Sequence, residues 1–164
     1  MKNFYNILIV VALIFGMLPI GSAFGQGTYD KHKEEVEEAL SIINSERKKI
    51  IIHNISLSND EDHKFWSLYD KYRLTRDEVG KRRFKMVADY ADSLENKNLS
   101  DAKILGIIKE YISIEHAKLT HIEEYISKFQ KILPPKKVFL FFQIENKFDA
   151  NVKFAIARKV PLIK

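Results

Sequence analysis

Hydrophobic side chains recur every three or four residues along most of the chain after Asp30, the spacing that gathers them on one face of an α-helix. Val36, Leu40, Ile43, Arg47 and Ile50 form the first such stripe and predict a helix over about 30–53. Glu34, Glu35, Glu37 and Glu38 crowd its first turns and Arg47, Lys48 and Lys49 lie near its end, a polarity that suits the helix macrodipole. After a short link at 54–57, Ser58 followed three residues later by Glu61 matches a capping box and predicts the start of a second helix. That helix runs to about Leu94, roughly 50 Å at 1.5 Å per residue. Its stripe is Phe65, Tyr69, Tyr72, Val79, Met86, Tyr90 and Leu94, with Trp66 and Leu68 beside it and Gly80 weakening its middle.

Glu95–Asn98 reads as a polar turn, and Ser100 as the cap of a third helix ending near Ile132. The third helix has the clearest pattern in the chain. Leu105, Ile108, Ile112, Glu115, Leu119, Ile122, Ile126, Phe129 and Leu133 alternate by three and four, a heptad seam interrupted only by Glu115. A short loop between two long periodic helices predicts an antiparallel hairpin, with this seam as its interior. Leu133-Pro134-Pro135 ends the third helix and starts a fourth, because Pro134 restrains Leu133 and Pro135 fits a first helical position. The fourth runs to about Arg158 on Val138, Phe141, Ile144 or Glu145, Phe148, Val152 and Ile156, with Phe139, Leu140 and Phe142 widening its apolar start; Pro161 stops a terminal extension.

Charged residues stand where two stripes should be apolar. If the second and third helices fold back around Asn96 and Lys97, facing positions have numbers summing to about 194. Glu115 then lies opposite Val79, with Arg76 and Arg83 about one turn to either side. A lone charge in a seam is costly whereas a paired one is tolerated, so Glu115 is expected to reach Arg76 or Arg83.

Residues 1–23 carry a different pattern. Lys2 precedes an uninterrupted apolar run from Ile7 to Leu18, Pro19 breaks it, and Gly21-Ser22-Ala23 offers small residues for signal peptidase; cleavage as late as Gly25 also fits. A run of about 12 residues is short of the ~20 that span a bilayer. The expected product is an exported, periplasmic single domain over 24–164, without stable membrane insertion after cleavage. It carries 26 basic against 22 acidic side chains, a net charge of +4.

Composition narrows the class. Of 164 residues, 46% are hydrophobic and 30% charged, which excludes a disordered chain; 6 Gly and 4 Pro exclude collagen-like and low-complexity classes. Zero Cys excludes disulfides, thiolate metal sites and cysteine catalysis. The chain also lacks a Gly-rich phosphate loop, a nucleophile elbow and an H-E-x-x-H motif, so neither an enzyme nor a cofactor is expected. Among the 5 His, only His121 with Glu124 has the spacing of two metal ligands on one helix face, and ordinary histidine is the expected reading of both it and the rest. Lys81, Arg82, Arg83 and Lys85 form a basic cluster; in an exported protein, Arg82 and Lys85 suit a solvated face or an acidic partner rather than nucleic acid.

Several stretches resemble the small helical stress proteins of the Gram-negative periplasm, the Spy and CpxP-like superfamily with its LTxxQ motif. Leu57-Ser58-Asn59-Asp60-Glu61 stands where the first motif would be, with Ser for Thr and Glu for Gln. Phe65-Trp66-Ser67-Leu68-Tyr69-Asp70-Lys71-Tyr72 is similar to the aromatic stretch that follows it in the uncharacterised branch. Leu133-Pro134-Pro135-Lys136-Lys137 stands at the second motif. The resemblance spans about 48–163. It implies long antiparallel helices, often a curved homodimer whose concave face holds unfolded clients, in a family that includes an ATP-independent chaperone, a regulator of a sensor kinase and zinc- or nickel-responsive members.

The expectation is therefore an all-α, four-helix, chaperone-like or envelope-stress protein that binds unfolded or partner proteins. Phe139, Phe142, Arg82 and Lys85 are candidate contact residues. A metal-responsive or sensor-kinase-regulating protein and a structural helical adaptor are the alternatives.

Overall fold

The computed structural model describes residues 33–158 together with 162 and 163. The expected signal segment at 1–23, the start of the first helix near Asp30, and Pro161 lie outside these residues. Among the described residues there are four α-helices and no strand. They are α1 (Lys33–Asn54), α2 (Asn59–Glu95), α3 (Asp101–Phe129) and α4 (Pro135–Ala157).

Each boundary has a local cause. Both halves of the capping box at α2 form: the Glu61 amide donates to Ser58 Oγ at 3.3 Å and the Ser58 amide to Glu61 Oε2 at 2.7 Å. Ser100 Oγ accepts from the Lys103 amide at the start of α3. α2 ends in a Schellman motif, in which the Lys97 amide donates to the Leu94 carbonyl and the Asn98 amide to the Ser93 carbonyl. Lys97 holds the left-handed position that glycine usually fills, at φ 51°. α3 ends at Phe129, earlier than its periodicity suggests. There the amides of Lys131 and Ile132 switch to carbonyls three residues back, and Pro134 follows. Pro135 opens α4, whose first turn is closed by Lys137 and Val138 amides on the Pro134 carbonyl.

Cross-links between helices give their directions. Lys48 meets Asp70 and Asn44 meets Asp77, so α1 runs antiparallel to α2. Arg82 meets Glu110, and Tyr72 stacks on His121, so α3 does too. Lys137 meets Glu61, Arg73 meets Glu145 and Arg76 meets Asp149, so α4 runs alongside α2 in the same direction. The result is an up-down-up-down arrangement in which α2, with 37 residues, and α3, with 29, make the long hairpin.

The core lies toward the end of the hairpin where α1 joins α2 and α3 joins α4. Phe65, Tyr69 and Tyr72 from α2 meet Phe129 from α3 and Phe141 from α4, all at most 1% exposed, and Ile51 and Phe148 close the sides. Ring centroids there lie 4.6–6.2 Å apart, largely edge-on or tilted, the arrangement that aromatic quadrupoles favour. Of the predicted stripes, Ile43 and Ile50 of α1, Phe65, Tyr69 and Tyr72 of α2, and Val138, Phe141, Ile144 and Phe148 of α4 belong to this core, while Leu40, Val152 and Ile156 are half-buried beyond it. Farther along α2, Met86, Tyr90 and Leu94 are only half-buried, and Ala88, Asp92 and Ser93 are buried instead.

The largest departure concerns α3. Its heptad seam does not form the interior of the hairpin. Leu105, Ile108, Ile112 and Leu119 are 50–57% exposed, Ile122 and Ile126 are half-buried, and only Phe129 and Leu133 are buried. The face turned to α2 is Ile114, His121, Tyr125 and Phe129. At 3.6 residues per turn the two stripes lie roughly 120° apart around the helix. α3 thus has two apolar faces, and α2 and α4 cover one of them.

Two consequences are measurable by urea unfolding. Lys97→Gly removes the cost of a side chain in the left-handed region, set against glycine's greater loss of entropy on folding, and should stabilise the protein by about 0.5–1 kcal/mol. Asp92 is buried with both carboxylate oxygens unpaired, and burial, reinforced by Asp89 and Glu95, pushes its carboxyl up to about 6. Raised above its unfolded value, it penalises the fold fully above pH 6, and the penalty fades as the pH falls toward 4. Asp92 lines a cavity open to solvent, which screens it, so Asp92→Asn should stabilise the protein by about 1–2 kcal/mol at pH 8, and the gain should vanish near pH 4.

Candidate interaction surface

The outer face of α3 is the broadest exposed apolar feature on a single described helix. Leu105, Ile108, Tyr111, Ile112 and Leu119 are each 47–57% exposed, and Ile122 continues the ridge toward the core end. A shallow apolar depression lies along it, lined by Tyr111, Ile112, Leu119 and Ile122 and bordered by Glu115, His116 and Lys118. Strict three-four spacing on an exposed face is the pattern that receives another chain's side chains into successive holes. Tyr111 belongs to this face although the heptad register skips it; its position one residue before Ile112 was the available signal.

The motif residues come together. Leu57 packs against the aromatic core, Leu133 is within it, and Ser58 caps α2. Lys137 Nζ donates to Glu61 Oε2 at 2.6 Å, so the last positions of the two motif-like stretches form an ion pair across α2 and α4. Lys137, with the capping hydrogen bond, holds the Glu61 carboxyl below the usual carboxylate range. Pro134 occupies the N-cap of α4.

The candidate contact residues divide. Arg82 is engaged within the hairpin, donating from Nε and Nη2 to the Glu110 carboxylate at 3.1 Å and from Nη2 to Ser113 Oγ at 3.0 Å. Phe142 is half-buried against Tyr72, Phe129 and Phe141. Lys85 is exposed, and Phe139 is 66% exposed. Phe139, Lys85 and Arg82 are therefore presented outward, Arg82 with its guanidinium paired to Glu110, and Phe142 packs against the core.

His121 and Glu124 carry separate partners. The His121 ring is buried, stacks on Tyr72 with centroids 5.1 Å apart, and donates from Nε2 to the Tyr72 carbonyl at 3.1 Å. Burial holds its pKa below the ordinary histidine value. Glu124 is exposed and binds Lys128 on its own helix. No group of three or more potential metal-binding side chains occurs among the described residues, and none of their helices is long and apolar enough to cross a membrane.

The stripe-breaking charges pair with one another. Glu115 accepts from Arg83, as the hairpin geometry predicts, and Lys153 Nζ of α4 approaches both of its oxygens at 3.2 Å. Arg76 turns instead to Asp149 on α4. Arg47 and Glu145, which interrupt the stripes of α1 and α4, meet at 2.8 Å, and Arg73 joins Glu145 at 3.1 Å and also binds Asp77. The Arg47 guanidinium also lies 4.7 Å from the Phe148 ring centroid. Burial would raise the Asp149 pKa, but Arg76, Lys118 and Arg47 outweigh it and hold the carboxyl below its ordinary value. Glu115, opposed by burial, is likewise held low by Arg83 and Lys153.

Both lowered carboxyls contribute stability that is present above their unfolded pKa of about 4 and lost as the pH falls through their folded values. Unfolding free energy should accordingly decline in acid below about pH 4. Glu145→Gln leaves two buried guanidinium groups facing a neutral amide and should cost about 3 kcal/mol in urea unfolding at pH 7. No family model matches the chain, and no curated protein or solved structure matches it.

Proposed function

We propose that the chain is a periplasmic, ATP-independent chaperone-like or envelope-stress protein that holds unfolded or partner proteins on the outer face of α3 and works as a homodimer. The observation that carries this reading is the exposed ridge of Leu105, Ile108, Tyr111, Ile112 and Leu119. Contiguous exposed apolar surface tends to mark interaction sites. This ridge is built on a regular helix held from behind by Ile114, His121, Tyr125 and Phe129, so it stays in place when unoccupied.

Glu115 and Lys118 border the ridge but are engaged by Arg83, Lys153 and Asp149, so a bound segment meets mainly apolar surface with the exposed His116 beside it. Phe139 near the start of α4 adds a second exposed aromatic. The periplasmic assignment rests on the leader-like pattern of residues 1–23, and the class of partner on the resemblance of residues 57–61 and 133–137 to the LTxxQ stretches.

Aggregation of a chemically denatured model protein, followed by light scattering without ATP, tests the reading. The protein should suppress aggregation at near-stoichiometric ratios. The triple variant Leu105→Ser, Ile112→Ser, Leu119→Ser should lose most of that suppression while its stability changes by only about 0.5 kcal/mol per site, as for exposed positions generally. Equal suppression by the variant, or none by the unaltered protein, would overturn the proposal. Sedimentation equilibrium should report two chains per particle.

A further inference from the structure

The charged layer joining the four helices does not balance. Six cationic side chains, Arg47, Arg73, Arg76, Arg83, Lys118 and Lys153, meet four carboxylates, Asp77, Glu115, Glu145 and Asp149. Among the described residues, two positive charges remain in excess. The three inner arginine side chains are only 4–11% exposed, so water outside the bundle neutralises them poorly.

A cavity of about 100 Å³ opens within this layer. All six cations line it, but of the four carboxylates only Asp77 and Asp149 do. The Nε atoms of Arg47, Arg73 and Arg76, residues that line it, are buried without a hydrogen-bond acceptor, and two acceptors of the same layer, Asn44 Oδ1 and Glu145 Oε1, are buried without a donor. A buried donor left unsatisfied is costly, more so on a charged group. The space is several times the ~15 Å³ that one water needs. Water could accept hydrogen bonds in it but would leave the two surplus charges in place. A compact anion does both, and guanidinium groups match the oxygens of such an anion with charge-assisted hydrogen bonds.

We infer that this cavity binds one small tetrahedral oxyanion of the phosphate or sulfate class. The inner arginines supply donors, and Arg83, Lys118 and Lys153, which are 16–41% exposed, form the route of entry. The anion would tie α1, α2, α3 and α4 together through the cations each contributes. This site shares Lys118 with the border of the α3 depression but does not depend on the function proposed for that face.

Calorimetric titration and thermal melting with sodium phosphate and sodium sulfate, against sodium chloride at matched ionic strength, test the inference. One saturable site per chain is expected, with the melting temperature climbing with the logarithm of oxyanion concentration. The double variant Lys118→Gln, Lys153→Gln should weaken binding at least tenfold. Gly80→Glu provides a second route, because Gly80 lines the cavity and a Cβ there meets nothing within 4 Å. Its carboxylate should compete with the anion, raising the melting temperature in chloride and blunting the response to phosphate. Identical melting shifts in chloride and phosphate would reduce the effect to screening and overturn the site. Saturable binding undiminished in either variant would place the anion elsewhere and overturn it equally.

Discussion

Glu145 is 3% exposed on α4, and an isolated carboxylate at that depth would cost several kcal/mol, so the bundle is constrained to deliver cations to it from two other helices at once. Arg47 from α1 and Arg73 from α2 meet that requirement. One turn farther along α4, Asp149 imposes the same condition on Arg76 and on Lys118 of α3. These contacts set the axial register of all four helices. Apolar packing alone would tolerate a slip of a turn, because an oily stripe repeats every three or four residues. A slip here would strand several buried charges together.

The aromatic core and the charged layer therefore divide the work. Phe65, Tyr69, Tyr72, Phe129 and Phe141 supply the non-directional driving force at one end of the hairpin. The ionic layer beyond them constrains register, because removing one partner of a buried pair is costly even where hydrophobic residues of similar shape could replace the whole pair. Where the layers touch, Arg47 uses both vocabularies, pairing with Glu145 and lying over the Phe148 ring. Burial between them pushes the phenols of Tyr69 and Tyr72 far above the usual range and keeps both neutral.

The four helices and the Ser58 and Ser100 caps were readable from the residues because each rests on a short-range rule, and hairpin register narrowed the partner of Glu115 to Arg76 or Arg83, of which Arg83 is the one it meets. Ser58 and Glu61 form the capping box that their spacing specifies, and Pro135 begins α4. The face of α3 that points inward was not readable, and the reason is physical. Periodicity reports that a face is apolar but not which neighbour covers it. The inner stripe is disguised by His121, whose stacking on Tyr72 makes it part of the core, and by Lys118, whose charge is absorbed by Asp149. With those two positions scored as polar, the outer stripe reads as the stronger seam. The ionic layer was only half readable for a related reason. Glu115 stands out because it breaks a stripe, whereas Asp149 and Lys153 sit on a helix face that sequence alone leaves ambiguous.

The outer stripe then acquires a meaning that an interior seam would not have. A helix facing water on one side needs no regular apolar row there, and neutral variation would scatter polar residues through it. Leu105, Ile108, Ile112 and Leu119 keep a three-four rhythm over four turns while contributing little to the core of their own chain. Such a rhythm has energetic value only when another surface removes it from water. The inner face of α3 is secured by rings and ion pairs, which frees the outer face to stay apolar without drawing the hairpin into a different packing. The packing of α3 and the contact surface proposed for it thus lie on two faces of one helix, roughly 120° apart.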